Sequence, residues 1–184
     1  VLGDLIISFS KLLNQKPSHV PSGQHTLNEE YYNRIEAIQF TMNHDDGNLI
    51  NDIEKSDIIL LGVSRTSKTP TSIYLANRGY KTSNIPIISE KSLPKKIIEN
   101  PKLTCVIGLL SEASRLIDIR KNRIAILKEK DVSTYTDLDT IESEIKIAKN
   151  LYRKFGWPTI DVTRKSVEET AASVIKIYDI MHSQ

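Results

Sequence analysis

A short apolar segment that runs directly into a polar loop is the feature that most constrains this chain. Asp57 to Leu61 is a nearly continuous apolar run, which is typical of a strand inside a parallel sheet. Residues 62–69 then read Gly-Val-Ser-Arg-Thr-Ser-Lys-Thr, and apolar side chains at helical spacing predict a helix over 70–78. The loop matches the pattern Gly-x-x-x-x-Gly-Lys-Thr except at Ser67, which replaces the second glycine.

A loop of this type recognises phosphate by a simple mechanism. Backbone N–H groups and the positive end of the next helix face the phosphate, the lysine bridges terminal phosphates, and the last hydroxyl reaches Mg²⁺. The predicted phosphate contacts are Gly62, Val63, Ser64, Arg65, Thr66, Ser67, Lys68 and Thr69. Lys68 is the predicted catalytic counter-charge, and Thr69 is a predicted magnesium ligand. Ser67 disfavours left-handed backbone, so the loop is expected to differ in shape from an ordinary one. A polar turn without a ligand is the alternative.

The rest of the chain predicts strands that alternate with helices. Further strands are expected at 84–88, 104–110 and 159–162. Further helices are expected at 28–41, 94–99, after Ser111, at 137–155 and at 167–182. This alternation indicates the α/β class, with a doubly wound, mostly parallel sheet of P-loop kinase type.

The first residues are predicted to lie apart from that sheet. Apolar side chains at helical spacing predict a helix over 1–14, and prolines with a glycine predict an extended linker over 16–25. Residues 1–27 are therefore expected to be the remnant of a preceding domain, and 28–184 the nucleotide-binding phosphotransferase domain. Because the chain opens on Val1 rather than Met, we expect it to be the C-terminal portion of a longer protein.

Composition argues against nucleic-acid and membrane partners. The 184 residues carry 25 basic and 23 acidic side chains, and the net charge of +2 gives no general attraction to nucleic acid. No apolar stretch is long enough to span a bilayer, and the first residues lack the basic flank of a signal peptide. Cys105 stands alone in an apolar run, so we expect a buried structural thiol in a cytoplasmic protein.

Several segments, in addition to the loop, have sequences that resemble those of a known family. They are residues 62–86, 21–25, 32–38, 44–47, 119–123 and 156–164. Together they resemble the bacterial pyruvate, phosphate dikinase regulatory proteins, which are close relatives of the phosphoenolpyruvate synthase regulatory proteins. The resemblance covers nearly the whole chain.

The resemblance implies a bifunctional serine/threonine-protein kinase. Members of that family use ADP to phosphorylate an active-site threonine of the dikinase, and they remove this phosphate with inorganic phosphate, releasing pyrophosphate. The implied partner is the dikinase, and the implied cofactors are ADP, phosphate or pyrophosphate, and Mg²⁺. The pair Thr66 and Ser67 favours the dikinase, because relatives directed at the synthase tend to read Ser-Arg-Cys-Gly-Lys-Thr. The synthase is the alternative target.

Such a reaction also needs a base and a further metal ligand. His44, Asp45 and Asp46 are the catalytic candidates, since a carboxylate can orient a hydroxyl and a histidine can shuttle a proton near neutral pH. An Asx turn with a solvated histidine is the alternative, and the resemblance favours Asp45 or Asp46. Asp46 and Asp161 are the candidate metal ligands beside Thr69, although Asp161 would equally suit a structural turn.

Basic residues after Ser111 form a second group of candidates. Arg115, Arg120, Lys121 and Arg123 are expected to share one helical face. The three arginines are candidate contacts for the substrate phosphate, because guanidinium groups bind phosphate bidentately. A solvated face without a ligand is the alternative.

Arg164 is a candidate adenine contact. Residues 161–170 look like the closing strand, loop and helix of small nucleoside and metabolite kinases, in which that loop lies near the adenine. A capping box of Ser166 and Glu169 explains part of the pattern without a ligand.

Two other classes of function fit the same loop. An ATP-dependent kinase of small metabolites would need no protein partner. A non-catalytic, nucleotide-gated binding module would bind ADP and the dikinase and transfer nothing. A homodimer is the candidate assembly of this chain with itself.

Overall fold

The computed structural model describes residues 3–17, 29–48, 50–127 and 134–183. The helices are α1 (Gly3–Leu13), α2 (Glu29–Asn43), α3 (Lys68–Ala76), α4 (Lys95–Glu99), α5 (Ala113–Leu127), α6 (Leu138–Phe155) and α7 (Val167–His182). The strands are β1 (Ile58–Gly62), β2 (Thr82–Pro86), β3 (Cys105–Leu110) and β4 (Thr159–Asp161). Short 3₁₀ helices lie at Asp45–Gly47, Ile50–Lys55, Glu90–Ser92 and Thr134–Thr136. Most of the predicted linker over 16–25 and the predicted helix start at residue 28 lie outside the described residues.

The four strands form one parallel sheet in the order β2, β1, β3, β4. Leu60 of the central strand β1 is in register with Asn84 of β2 and Ile107 of β3. The predicted α/β class and parallel sheet are therefore confirmed.

Strand β2 starts two residues earlier than the sequence predicts, because polar side chains are buried there. The backbone N–H of Thr82 donates to the hydroxyl of Thr41 at 3.0 Å, and the hydroxyls of Ser83 and Ser56 are 2.7 Å apart. Hydrogen bonds between elements satisfy these polar groups, which an apolar pattern does not reveal.

Helices cover both faces of the sheet. Ile59 and Leu61 of β1 pack on one face with residues of α5 and α6, whereas Ile58 and Leu60 pack on the other with residues of α3 and α7. Successive side chains of a strand point to opposite faces, so a strand covered on both sides is apolar throughout. This two-sided burial accounts for the continuous apolar run before the loop.

Local signals set the ends of the long helices as predicted. The carboxylate of Asp137 accepts the Thr140 backbone N–H at 2.9 Å and begins α6, and Ser166 with Glu169 forms the capping box of α7. Cys105 is buried as expected, and burial raises the pKa of its thiol to about 11. None of the helices in the described ranges combines the length and the apolar character needed to cross a membrane.

Helix α1 forms at the predicted place but contributes nothing to this core. It has no buried residue, and its large apolar side chains are exposed. They are Leu5, Ile6, Ile7, Phe9, Leu12 and Leu13.

Strand β3 and helix α6 approach each other closely at Gly108 and Tyr152. A Cβ built on Gly108 would lie 2.5 Å from Cε2 of the buried Tyr152, so only glycine fits under the ring. The Tyr152 hydroxyl meets the Leu109 carbonyl oxygen at 3.5 Å, which keeps the ring across the strand.

We expect Gly108→Ala to lower the free energy of unfolding by about 1–3 kcal/mol, because the methyl group overpacks this contact. Urea titration measures the loss. Gly3→Ala is the matched control, since a Cβ there meets nothing within 4 Å. Adding Tyr152→Leu should recover part of the loss, and strictly additive effects would contradict the steric explanation.

Candidate functional site

The loop between β1 and α3 folds back over the end of its own strand. The carbonyl oxygen of Val63 accepts hydrogen bonds from the Thr66 hydroxyl and the Lys68 ammonium, both at 3.0 Å. The side chain of Val63 is buried in the core, so the carbonyl has a fixed position. The loop therefore closes around one acceptor atom.

Gly62 allows this closure because it has no side chain. A Cβ at this position would lie 2.4 Å from the Thr66 hydroxyl oxygen and 3.2 Å from the Leu109 carbonyl oxygen. The first glycine of the predicted pattern is thus required by close packing between the loop and the neighbouring strand.

The loop backbone is left-handed at two residues that are not glycine. Arg65 has a φ of 72° and Ser67 a φ of 59°. Such geometry costs about 1–3 kcal/mol for each residue and persists where surrounding contacts determine it. The Ser67 side chain makes no capping hydrogen bond to α3, so it leaves the first-turn N–H groups of that helix to another partner. Ser67 thus adopts the left-handed backbone that its side chain disfavours, and the predicted departure from an ordinary loop shape stays a prediction.

Lys68 is a buried cation at the start of α3. It is 6% exposed, and burial lowers the pKa of its ammonium to about 8, against the opposing effect of the Asp46 and Asp45 carboxylates. No described carboxylate lies within 4 Å of the ammonium to form an ion pair. A bound anion would relieve this uncompensated burial, as the predicted phosphate contact requires.

A cavity of about 320 Å³ opens above the loop. Its walls include the Lys68 side chain, Thr69 at the start of α3 and the Asp46 carboxylate from the turn before β1. The residues lining it are Asp46, Ser64, Arg65, Ser67, Lys68, Thr69, Pro70, Pro86 and Ile119. This cavity brings together a cation, a hydroxyl and a carboxylate.

Asp45 holds Thr69, which lines this cavity. Its Oδ1 accepts the Thr69 hydroxyl at 3.1 Å, and the Asn84 amide donates to Thr69 Oγ1 at 3.0 Å and also to Asp45 Oδ1. One lone pair of the Thr69 oxygen is left, which is the geometry that a cation ligand needs. The three side chains therefore form a compact polar cluster beside the loop.

His44 contacts its own helix rather than the cavity. It is 5% exposed, its ring stacks on Phe40 with centroids 3.8 Å apart, and Nδ1 lies 2.8 Å from the Phe40 carbonyl oxygen. Its own carbonyl oxygen accepts the Asn84 backbone N–H at 3.0 Å. These contacts support an anchoring role for His44 in the turn that carries Asp45 and Asp46. The proton shuttle stays a prediction.

The predicted basic face of α5 is wrong at Arg120. This side chain is fully buried and pairs with Glu144 of α6 at 2.6 Å, whereas Arg115 and Arg123 are exposed. A long-range ion pair turns Arg120 inward, and a pattern of basic residues cannot reveal such a partner. Arg120 therefore does not share a solvent-facing surface with the other two arginines.

Arg164 and Asp161 lie away from the Lys68 cavity. Arg164 lines a separate depression with Arg115. The Asp161 carboxylate accepts the Thr163 backbone N–H at 2.9 Å and the Thr163 hydroxyl at 2.6 Å, which is the structural turn considered as an alternative. These contacts favour Asp46 over Asp161 as a metal ligand.

Sequence reasoning missed Asn84 and Tyr135. Asn84 is a polar residue within the strand next to β1, and that position is the signal that could have identified it. The Tyr135 hydroxyl lies 3.0 Å from Ser64 Oγ in the loop, some seventy positions earlier in the chain. No local pattern marks a contact of that separation.

The sequence also matches those of known proteins. The sequence model of the family described as kinase/pyrophosphorylase matches residues 1–175. A protein of Pelagibacter ubique, by name a pyruvate, phosphate dikinase regulatory protein, is 71% identical over 98% of this chain and 66% of its own length. Proteins with the same name from Erythrobacter litoralis and Bartonella bacilliformis are 45% and 47% identical over 100% and 96% of this chain, and over 66% and 63% of their own lengths.

The chain spans somewhat less than two thirds of the length of these curated relatives, between 63% and 66%. The family match nevertheless includes β1, the loop, the turn with Asp45 and Asp46, and all four strands of the sheet. The chain therefore belongs to the kinase/pyrophosphorylase family.

Proposed function

We propose that this chain carries the phosphoryl-transfer site of a bifunctional regulator of pyruvate, phosphate dikinase. In one direction it is an ADP-dependent protein threonine kinase, and in the other a phosphate-dependent pyrophosphorylase. The family description names a kinase and a pyrophosphorylase, and the names of the relatives point to the dikinase as the protein substrate. Phosphoenolpyruvate synthase is the alternative target.

The observation that carries the proposal is the buried Lys68 facing the same cavity as Thr69 and Asp46. The lysine supplies a buried positive charge with no carboxylate in salt-bridge range among the described residues, and the hydroxyl and carboxylate are oxygen ligands of the kind Mg²⁺ prefers. No group of three His, Cys, Asp or Glu side chains in the described ranges could hold a metal by itself. A magnesium ion bound with a nucleotide needs only one or two carboxylates, because phosphate oxygens and waters complete its shell.

In the kinase direction the residues would act on the β-phosphate of ADP. The threonine oxygen forms a bond to the β-phosphorus, the bond from that phosphorus to the α–β bridging oxygen breaks, and AMP leaves. Asp46 takes the hydroxyl proton, and Lys68 with the first-turn N–H groups of α3 stabilises the charge on the transferred group. Mg²⁺ would be held by the Thr69 hydroxyl and would supply further neutralisation of the charge on the transferred group.

In the pyrophosphorylase direction, which removes the phosphate from the threonine, the same pocket would hold inorganic phosphate. A phosphate oxygen forms a bond to the phosphorus of phosphothreonine, the bond from that phosphorus to the threonine oxygen breaks, and pyrophosphate leaves. The threonine oxygen recovers its proton from Asp46. One phosphate pocket can serve both directions because backbone donors and an ammonium read phosphate oxygens and carry no information about the rest of the molecule.

The proposal is tested with ADP labelled at the β-phosphate. Incubation with the dikinase should place the label on a dikinase threonine, and Lys68→Met should abolish this transfer while raising the ADP dissociation constant about 10- to 150-fold, since a charge-assisted contact of roughly 1.5–3 kcal/mol is lost. Lys55→Met is the control, because Lys55 pairs with Asp52 on the surface. Label transfer only from the γ-phosphate of ATP to a small molecule would identify a metabolite kinase, and ADP binding without any transfer would identify a binding module.

An asparagine variant tests the role of the Asp46 carboxylate. Asp46→Asn should lower kinase turnover by about 10²–10⁴-fold and leave ADP affinity within a few-fold, because a general base acts in the transition state. Single-turnover transfer and calorimetric titration measure the two quantities, with Asp52→Asn as the surface control. Recovery of the Asp46→Asn rate at high Mg²⁺ would assign Asp46 to the metal instead. A normal rate would remove Asp46 from the mechanism.

Phosphate should compete with ADP for one site. Titration of ADP at rising phosphate concentrations is expected to raise the apparent dissociation constant of ADP linearly, and Lys68→Met should weaken both ligands together. A phosphate effect that saturates would contradict the single pocket. The depression beside Arg115 and Arg164 would then be the first place to look for a second site.

A further inference from the structure

The phosphate loop is tied to the start of α6 by a tyrosine that its motif does not contain. Tyr135 lies in the 3₁₀ helix Thr134–Thr136, immediately before α6. Its hydroxyl oxygen lies 3.0 Å from Ser64 Oγ and accepts the Nε–H of Arg65 at 3.2 Å. Two consecutive loop side chains therefore share one phenol hydroxyl.

Tyr135 is itself held by the buried Arg120. One terminal amino group of Arg120 donates to the Tyr135 carbonyl oxygen at 3.0 Å, and the guanidinium carbon lies 4.6 Å from the centre of the Tyr135 ring. The other amino group donates to the Ser64 carbonyl oxygen at 3.3 Å, and Glu144 neutralises the guanidinium. Arg120 thus fixes the tyrosine and the loop backbone together.

These contacts hold Arg65, a loop residue with strained backbone that lines the cavity. Arg65 has a left-handed backbone, and its side chain is exposed and lines the cavity with Lys68. The contact with Tyr135 uses the Nε–H alone, so it leaves the two terminal amino groups of Arg65 for another partner. Those two groups form the fork that binds phosphate oxygens in pairs.

We propose that Tyr135 is a positioning residue that orients Arg65 over the cavity, and that Arg65, rather than an arginine of α5, contacts the bound phosphate. The inference rests on the proposed phosphate site but not on the identity of the protein substrate. Arg120 is excluded from direct contact because Glu144 and two carbonyl oxygens already occupy its terminal amino groups. Arg115 is excluded because it lines the separate depression with Arg164.

A double-mutant cycle on pyrophosphate binding tests this role without the dikinase. Tyr135→Phe removes only the hydroxyl and keeps the ring beside Arg120. It should weaken pyrophosphate binding about 3- to 10-fold, because a side chain held in place loses less freedom on binding. Arg65→Met should weaken binding about 10-fold or more, because it removes a charged donor pair. In the Arg65→Met background, Tyr135→Phe should cause no further loss.

The controls separate positioning from folding. Tyr152→Phe removes the hydroxyl of a buried tyrosine outside the loop, and Arg115→Met removes an exposed arginine of α5; neither should change pyrophosphate affinity. Losses that multiply in the double variant, or a Tyr135→Phe protein with reduced thermal stability and unchanged affinity, would overturn the proposal. So would an Arg115→Met protein that binds as weakly as Arg65→Met. The wild-type chain could transfer no label to the dikinase while the double-mutant cycle still shows the expected coupling between Tyr135 and Arg65. That result would contradict the proposed protein-kinase activity and would leave the positioning role of Tyr135 supported.

Discussion

The closure of the loop on the Val63 carbonyl oxygen is the interaction on which the rest of the site depends. That atom accepts both the Thr66 hydroxyl and the Lys68 ammonium, and it can do so because Gly62 leaves room for both side chains above the strand. The strand beneath is buried on both faces, so its end provides a rigid platform. A flexible loop would bind phosphate more weakly, because each hydrogen-bond donor would have to be ordered when the ligand arrives.

The carboxylates beside the loop come from the turn before β1 and not from the neighbouring strand β3. The strand β3 lies beside β1 and ends in apolar residues, so it provides no acidic side chain at the phosphate site. Asp45 and Asp46 come instead from the turn before β1, and the Asn84 backbone N–H fastens this turn to β2 through the His44 carbonyl oxygen. Burial of His44 against Phe40 completes the attachment. The polar cluster is thus assembled on the β2 side of the loop, opposite β3.

Local patterns were sufficient for much of this molecule. The apolar run at 57–61, the loop, the helical pattern over 137–155 and the capping box at Ser166 predicted the corresponding elements to within a few residues, because each depends on neighbours in the chain. Arg120 shows where such reasoning ends. Its spacing predicts a solvent-facing cation, but Glu144, 24 positions away, pairs with the fully buried guanidinium. Asn84 and Tyr135 depend on contacts of the same kind, which only the tertiary fold creates.

Charge compensation decides which cations can serve a phosphate. Arg120 is neutralised by Glu144, and removal of Glu144 would leave the fully buried guanidinium charge unpaired, so the pair belongs to the framework. Lys68 is buried without a carboxylate in salt-bridge range among the described residues, and the lowered pKa of its ammonium reflects that burial. Arg65 is bound by Tyr135 through a neutral hydroxyl, which orients the guanidinium without cancelling its charge. Arg120, which holds the loop, is therefore paired with a carboxylate, whereas Lys68 and Arg65 at the cavity have no carboxylate in salt-bridge range among the described residues. That is the arrangement that an anionic ligand stabilises.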